Sequence, residues 1–144
     1  MFQACYYVFM TILGIDWGAR RIGVAFATRN VASPLKVLKI KNQQDALEQL
    51  KVLVEDCTPQ KIVIGVPLDS GGNDTKQSQE IRGFGNDLKN IIEAEVVFWN
   101  EALTSKQALQ GKLEGNQGKN KRKDLDATSA AYILQSYLDS YNKA

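Results

Sequence analysis

Residues 11–27 read TILGIDWGARRIGVAFA: an apolar run ending on a carboxylate, a glycine turn with two arginines, then a second apolar run. Two β-rich runs joined by a short Gly-containing turn read most simply as a β-hairpin. Asp16 closes the first run, with apolar residues on both faces of that strand. Burial on both faces puts the strand in the middle of a sheet. In open α/β sheets, ligands gather at the carboxyl ends of such strands. The stretch thus bears on fold and site together.

Working outward, LKVLKI (35–40) alternates apolar and basic, as a strand with one exposed face does. QDALEQLKVLVEDC (44–57) places Leu47, Leu50, Val54 and Cys57 at helical spacing. KIVIGV (61–66) is a short buried strand ending before Pro67, and PLDSGGNDT is a loop by composition. KQSQEIRGFGNDLKNII then sets Ile81, Phe84, Leu88, Ile91 and Ile92 on one helical stripe. Gly83 and Gly85 are each expected to weaken that helix by roughly 1 kcal/mol relative to alanine. AEVVFW is another strand, TSKQALQGKL a short helix opened by a Thr or Ser cap, and DLDATSAAYILQSYLDSY a final amphipathic helix.

A hairpin followed by alternating strands and helices implies an α/β fold: a mixed five-stranded sheet with helices on both faces. The expected organisation is a single domain over residues 11–141, with residues 1–10 an N-terminal extension and Met10 an alternative start.

The chain has 144 residues and no histidine, which removes Ser-His-Asp and Cys-His catalysis and the usual zinc sites. Cys5 and Cys57 fit no metal-ligand spacing and read as reduced thiols in a cytoplasmic protein. No apolar run reaches the length needed to span a bilayer. Net charge is only +2, but residues 104–123 hold six cations against one acid. Such a stretch is ordinarily a solvated loop, and it is also what a phosphate backbone attracts, with binding that weakens as salt rises.

Three acids stand where they could meet. Asp16 ends the first strand, Glu101 follows EVVFWN, and Asp126 falls in the first turn of the last helix. Asp126 shares a helix face with Ala130, Ile133 and Tyr137, the face turned inward, whereas Asp124 points away and suits an N-cap. Each acid alone has a plain structural role open to it, in a turn, a cap or a favourable helix dipole. Together, with no histidine or lysine among them, they repel unless a divalent cation neutralises them. Oxygen-only ligation suits Mg2+ or Mn2+, and paired ions about 3.5–4 Å apart serve phosphodiester hydrolysis. Arg20 and Arg21, just past the turn, are placed either to contact phosphate oxygens or to stand as surface charges, and Gly18 and Gly23 permit the turn and a close backbone approach.

GIDWGARRIGVA, VIGVPLDSGGNDTKQSQEIRGFGNDL, VVFWNEALTSKQA and KDLDATSAAYILQSYL occur in the order and spacing of the bacterial YqgF/RuvX family. The chain resembles that family from residue 11 to 140. The resemblance implies a ribonuclease H-like fold related to Holliday-junction resolvases, and a cytoplasmic metal-dependent nuclease in 5′-end processing of 16S ribosomal RNA. It implies Asp16, Glu101 and Asp126 as catalytic and metal-holding residues, with Mg2+ or Mn2+ as cofactor. It also implies a nucleic-acid partner, precursor 16S rRNA or the pre-ribosomal particle, no membrane, and a monomer or homodimer.

One departure stands out. Where the family reads Asp-Glu-Arg-Leu-Thr-Thr, this chain has NEALTS, so Ala102 replaces the arginine beside the glutamate. Arg20, Arg21, Lys119, Lys121, Arg122 and Lys123 are then the candidate nucleic-acid-binding cations. Rival readings are an endonuclease for four-way DNA junctions, a non-catalytic RNA-binding ribosome assembly factor and, far behind, a nucleotide-binding domain of the actin and sugar-kinase type.

Overall fold

The hairpin read in residues 11–27 is present, with β1 (Ile12–Trp17) antiparallel to β2 (Arg21–Ala27) and Asp16 opposite Gly23. In this computed structural model, residues 11–101 and 121–142 are described. β3 (Ala32–Lys39) adds antiparallel to β2, while β4 (Lys61–Val66) and β5 (Glu95–Asn100) add in parallel on the other side. The sheet order is β3-β2-β1-β4-β5, so the strand that carries Asp16 is central.

Alternation along β1 sorts the two faces. Leu13 and Ile15 join a core with α1 (Gln43–Cys57) and α2 (Lys76–Lys89), through Leu47, Leu50, Ile81, Phe84 and Leu88. Ile12 joins the opposite core, where α3 (Lys121–Asn142) lays Ala130, Ile133, Leu134 and Tyr137 on Ala25, Ala27 and Val63. Gln135 fastens α3 to the β2–β3 turn: its Nε2 donates to the Asn30 carbonyl (2.8 Å) and its Oε1 accepts from the Ala32 N–H (2.8 Å).

Boundaries differ from the sequence reading in instructive ways. β3 begins at Ala32 rather than Leu35 and is an edge strand containing Pro34, with a register shift opposite Val24 and Ala25 that leaves Leu35 out of the pairing. Proline and an irregularity are tolerated at an edge because the outward backbone groups need no strand partner. In α1 the buried residues are Ala46, Leu47, Leu50 and Leu53, while Val54 and Cys57 pack only partly against the core. α2 opens on a Thr75–Ser78 capping box and ends at Lys89, so Ile91 and Ile92 lie beyond the helix, Ile91 being 39% exposed.

The two glycines of α2 also part company. A methyl at Gly83 would meet nothing within 4 Å, whereas one at Gly85 would run into the Phe98 ring. Gly83→Ala should therefore stabilise by about 1 kcal/mol. Gly85→Ala should destabilise by about 1–3 kcal/mol through overpacking. Urea denaturation of the two variants should show midpoints moving in opposite directions.

Residues 1–10, the helix expected in TSKQALQGKL, and Ala102 and Lys119 lie outside the described residues. Among the described residues no helix is long and apolar enough to cross a membrane.

Candidate active site

β1, β4 and β5 run parallel, so their carboxyl ends share one edge of the sheet, and β2 starts at that same edge. Asp16 lies two residues after Gly14, whose missing side chain faces α3 (Leu134 Cβ would stand 2.7 Å from a Cβ there). The period of two aims Asp16 at the same face. It is half-buried.

Its neighbours on both sides are glycines. On β2 the partner is Gly23, and α3 descends so closely there that an added Cβ would overlap the backbone carbonyl of Asp126 and stand 3.1 Å from Ala127 N. On β4 the register runs through Ile15 opposite Ile64, so the next residue, Gly65, flanks Asp16. Above Gly65 lies the side chain of Glu101: a Cβ at Gly65 would stand 2.8 Å from Glu101 Oε1 and 2.9 Å from its Cγ. Glu101, directly after β5, folds back over β4 and is buried. The absence of side chains at positions 23 and 65 thus lets one acid-bearing segment approach Asp16 from each side.

The segments carrying all three acids therefore lie along this edge, although Asp126 arrives differently from the reading. α3 starts at Lys121, so Asp124 is inside the helix and not its N-cap, and Asp126 sits in the second turn. Lysine and arginine are good helix formers, and the helix extends back through them. Lys121, Arg122 and Lys123 accordingly belong to the first turn of α3 and not to a loop. The inward face is as read, with Ala130, Ile133 and Tyr137 all buried.

Asp126 is 34% exposed and stands 4.0 Å from Arg21, Oδ2 to Nη1. Burial raises its carboxyl above the ordinary range, and the Arg21 charge partly opposes that rise. A pKa raised in the folded state stabilises the fold only while the group is protonated, and that contribution fades as pH rises through the raised value. Asp126→Asn should therefore melt at a higher temperature than wild type at pH 7 and at the same temperature at pH 3. The gain will be small, because a third of the side chain meets water.

Arg20 is exposed at the hairpin turn, where its carbonyl accepts from Ile40 N–H (3.0 Å). Asp69, in the loop after β4, is committed to that loop's turn: its Oδ1 accepts from the backbone N–H groups of Gly71 (2.9 Å) and Asn73 (2.8 Å). The close backbone approach expected at Gly23 is present, against Asp126, whereas sequence reasoning missed Gly65, although VIGVP displays it in a strand-forming run. Among the described residues, no group of three or more His, Cys, Asp or Glu side chains is gathered tightly enough to hold a metal ion.

A sequence model of the family described as "RuvX: Holliday junction resolvase" matches residues 10–140. A Dictyoglomus thermophilum protein named "Putative pre-16S rRNA nuclease" is 38% identical over 134 residues, covering 91% of this chain and 96% of its own. One of the same name from Clostridium tetani is 37% identical over 138 residues, covering 93% and 100%. Among solved structures, RuvC from T. thermophilus in complex with a Holliday junction substrate superposes with a TM-score of 0.62 at 15% identity, covering 92% of this chain and 96% of that one. Fowlpox virus resolvase with junction DNA gives 0.59 at 14%, covering 92% and 99%. These likenesses establish the ribonuclease H-like fold, and the match over nearly the whole length shows that the chain belongs to the RuvX family.

Proposed function

We propose that this protein is a metal-dependent nuclease that hydrolyses phosphodiester bonds in precursor 16S rRNA, with Asp16, Glu101 and Asp126 as its catalytic carboxylates. The observation that carries the reading is the pair of glycines flanking Asp16, over which the Asp126 backbone and the Glu101 side chain close in. Nothing in packing alone requires three acids along one strand edge. The donor set is all oxygen, which suits Mg2+ or Mn2+. Asp16, Glu101 and Asp126 would hold the ions, which when bound would supply Lewis acidity and activation of the attacking water.

The chain's own residues supply the frame. Asp16 is fixed by strand pairing on its β2 side, and Glu101 is held against the floor of the site by its burial. Arg21 spans from Asp126 toward solvent, where its guanidinium is placed to orient a phosphate oxygen. RNA is preferred as substrate because the curated relatives carry that name. Junction DNA is the second reading, favoured by the likeness to resolvases solved with it.

The test is cleavage of end-labelled 16S precursor RNA and of four-way junction DNA with Mg2+, with Mn2+ or with chelator, comparing wild type with Asp16→Asn. Metal-dependent cutting of the RNA, lost in the variant, is the expected result. Preferential cutting of the junction would move the substrate to DNA. Equal traces from the two proteins would defeat the carboxylate site.

A further inference from the structure

Beside the carboxylates, on the α3 face of the sheet, an open groove of about 530 Å³ runs between the edge strand β3 and the beginning of α3. Pockets that take small ligands span roughly 300–1,000 Å³. Pro34, Leu35, Val37, Ala127 and Thr128 give this groove a largely apolar lining, to which Lys36 and Lys39 add two cations. Lys39 is the strand partner of Arg21, so two cations lie side by side next to Asp126. Like charges directly opposite each other across a strand pair are destabilising. Lys39 is exposed, and among the described residues no acid forms an ion pair with it.

We infer that this groove seats the nucleotide next to the scissile phosphate: Lys39 and Arg21 hold its phosphate, and its ribose and base lie along Pro34, Leu35 and Val37. The inference rests on the nuclease reading and extends it to a substrate-positioning residue, Lys39, and to a direction for the RNA strand, from the carboxylates toward the β3 edge. Three observations support a nucleotide as the occupant. The groove is continuous with Asp126 through Ala127 and Thr128, Lys39 and Arg21 sit at the end nearest the acids, and the rest of the lining is largely apolar. The register shift beside Leu35 turns that side chain out of the ladder, leaving it 39% exposed. Irregularities of this kind re-aim side chains next to functional sites.

Lysine and proline on an edge strand also guard against strand addition, a plainer role that predicts no effect on RNA binding. Lys36 also lines the groove, although its strand partner Val24 belongs to the α1-side core, so the control is Lys51, an exposed lysine of α1 on the opposite face of the sheet. The experiment measures binding of a fluorescein-labelled single-stranded RNA across a salt series, with chelator present so that nothing is cut. Lys39→Ala should weaken binding several-fold and lower the slope of log K against log salt by about 0.7, the value for one released counterion on a single strand. Leu35→Glu, which brings a carboxylate toward the phosphate path, should weaken it further, and Lys51→Ala should leave both affinity and slope unchanged. In steady-state cleavage, Lys39→Ala should raise KM with kcat within about twofold of wild type, a loss of binding common to ground state and transition state.

Wild-type affinity in Lys39→Ala, or equal losses from Lys51→Ala and Lys39→Ala, would overturn the groove. Because Asp16→Asn reports on the carboxylates independently, the groove can fail while the nuclease reading stands. Metal-independent cutting would defeat the nuclease reading without touching the binding result.

Discussion

Asp16→Asn should abolish metal-dependent cleavage, by about a thousandfold or more, in a protein that still folds. The substitution keeps the size and shape of the side chain, and the strand that carries it is held by β2 and β4 on either side. What changes is the charge: one carboxylate oxygen becomes an amide nitrogen, which offers no lone pair to a hard cation. Metal-borne charge stabilisation of a phosphoryl transition state is worth several kcal/mol, and a thousandfold corresponds to about 4 kcal/mol. Single-turnover cleavage with saturating enzyme isolates that step, and a circular dichroism melt beside it confirms the fold. A variant that cut within tenfold of wild type would place the essential carboxylates elsewhere.

The second large effect should come from a residue without a side chain. In Gly23→Ala the new methyl would overlap the carbonyl carbon and oxygen of Asp126 and crowd Ala127 N. All of these are backbone atoms, so no rotamer change relieves the overlap. Either α3 lifts from the sheet or β2 buckles away from β1. Overpacking of this kind costs about 3 kcal/mol or more where the obstacle cannot yield. At Gly65 the obstacles are instead the Ile133 Cδ1 (2.5 Å) and the Glu101 side chain, both of which can turn. Because Asp126 moves with α3, Gly23→Ala should also lose about a hundredfold in cleavage, the usual effect of displacing a catalytic group by an ångström. Thermal melts and cleavage rates should fall together. Loss of stability with full activity would mean that Asp126 takes no part.

The sheet and the acids were legible because they rest on local pattern. β-branched runs ending in Asp16, Val66 and Asn100 have the right length for strands, and periodicity put Asp126 on the face of Ala130, Ile133 and Tyr137. The start of α3 was misread because Asp124 competes as an N-cap with a run of cations that are themselves good helix formers. The reading of Gly85 as merely weakening its helix failed for a different reason. Its function is set by Phe98, a residue on another element, and no local pattern reports that contact. The same holds for Gly65, whose meaning depends on strand register and on where Glu101 folds back, whereas the hairpin pattern already marked Gly23 for a close backbone approach. Pairings of distant segments are tertiary facts, and a single chain read in order supplies only the candidates.

The order in which the elements are synthesised has its own consequence. The face that α3 covers is built largely from the first hairpin, through Ile12, Ala25 and Ala27, while α3 is the last described element. Chains emerge from the ribosome amino end first and can fold only what has emerged. The set of three acids is therefore incomplete until the helix bearing Asp126 has been made and laid across strands made long before. Under the nuclease reading, the nascent protein is inert beside the ribosomal RNA that is making it, and acquires the power to cut only once that helix has emerged and docked.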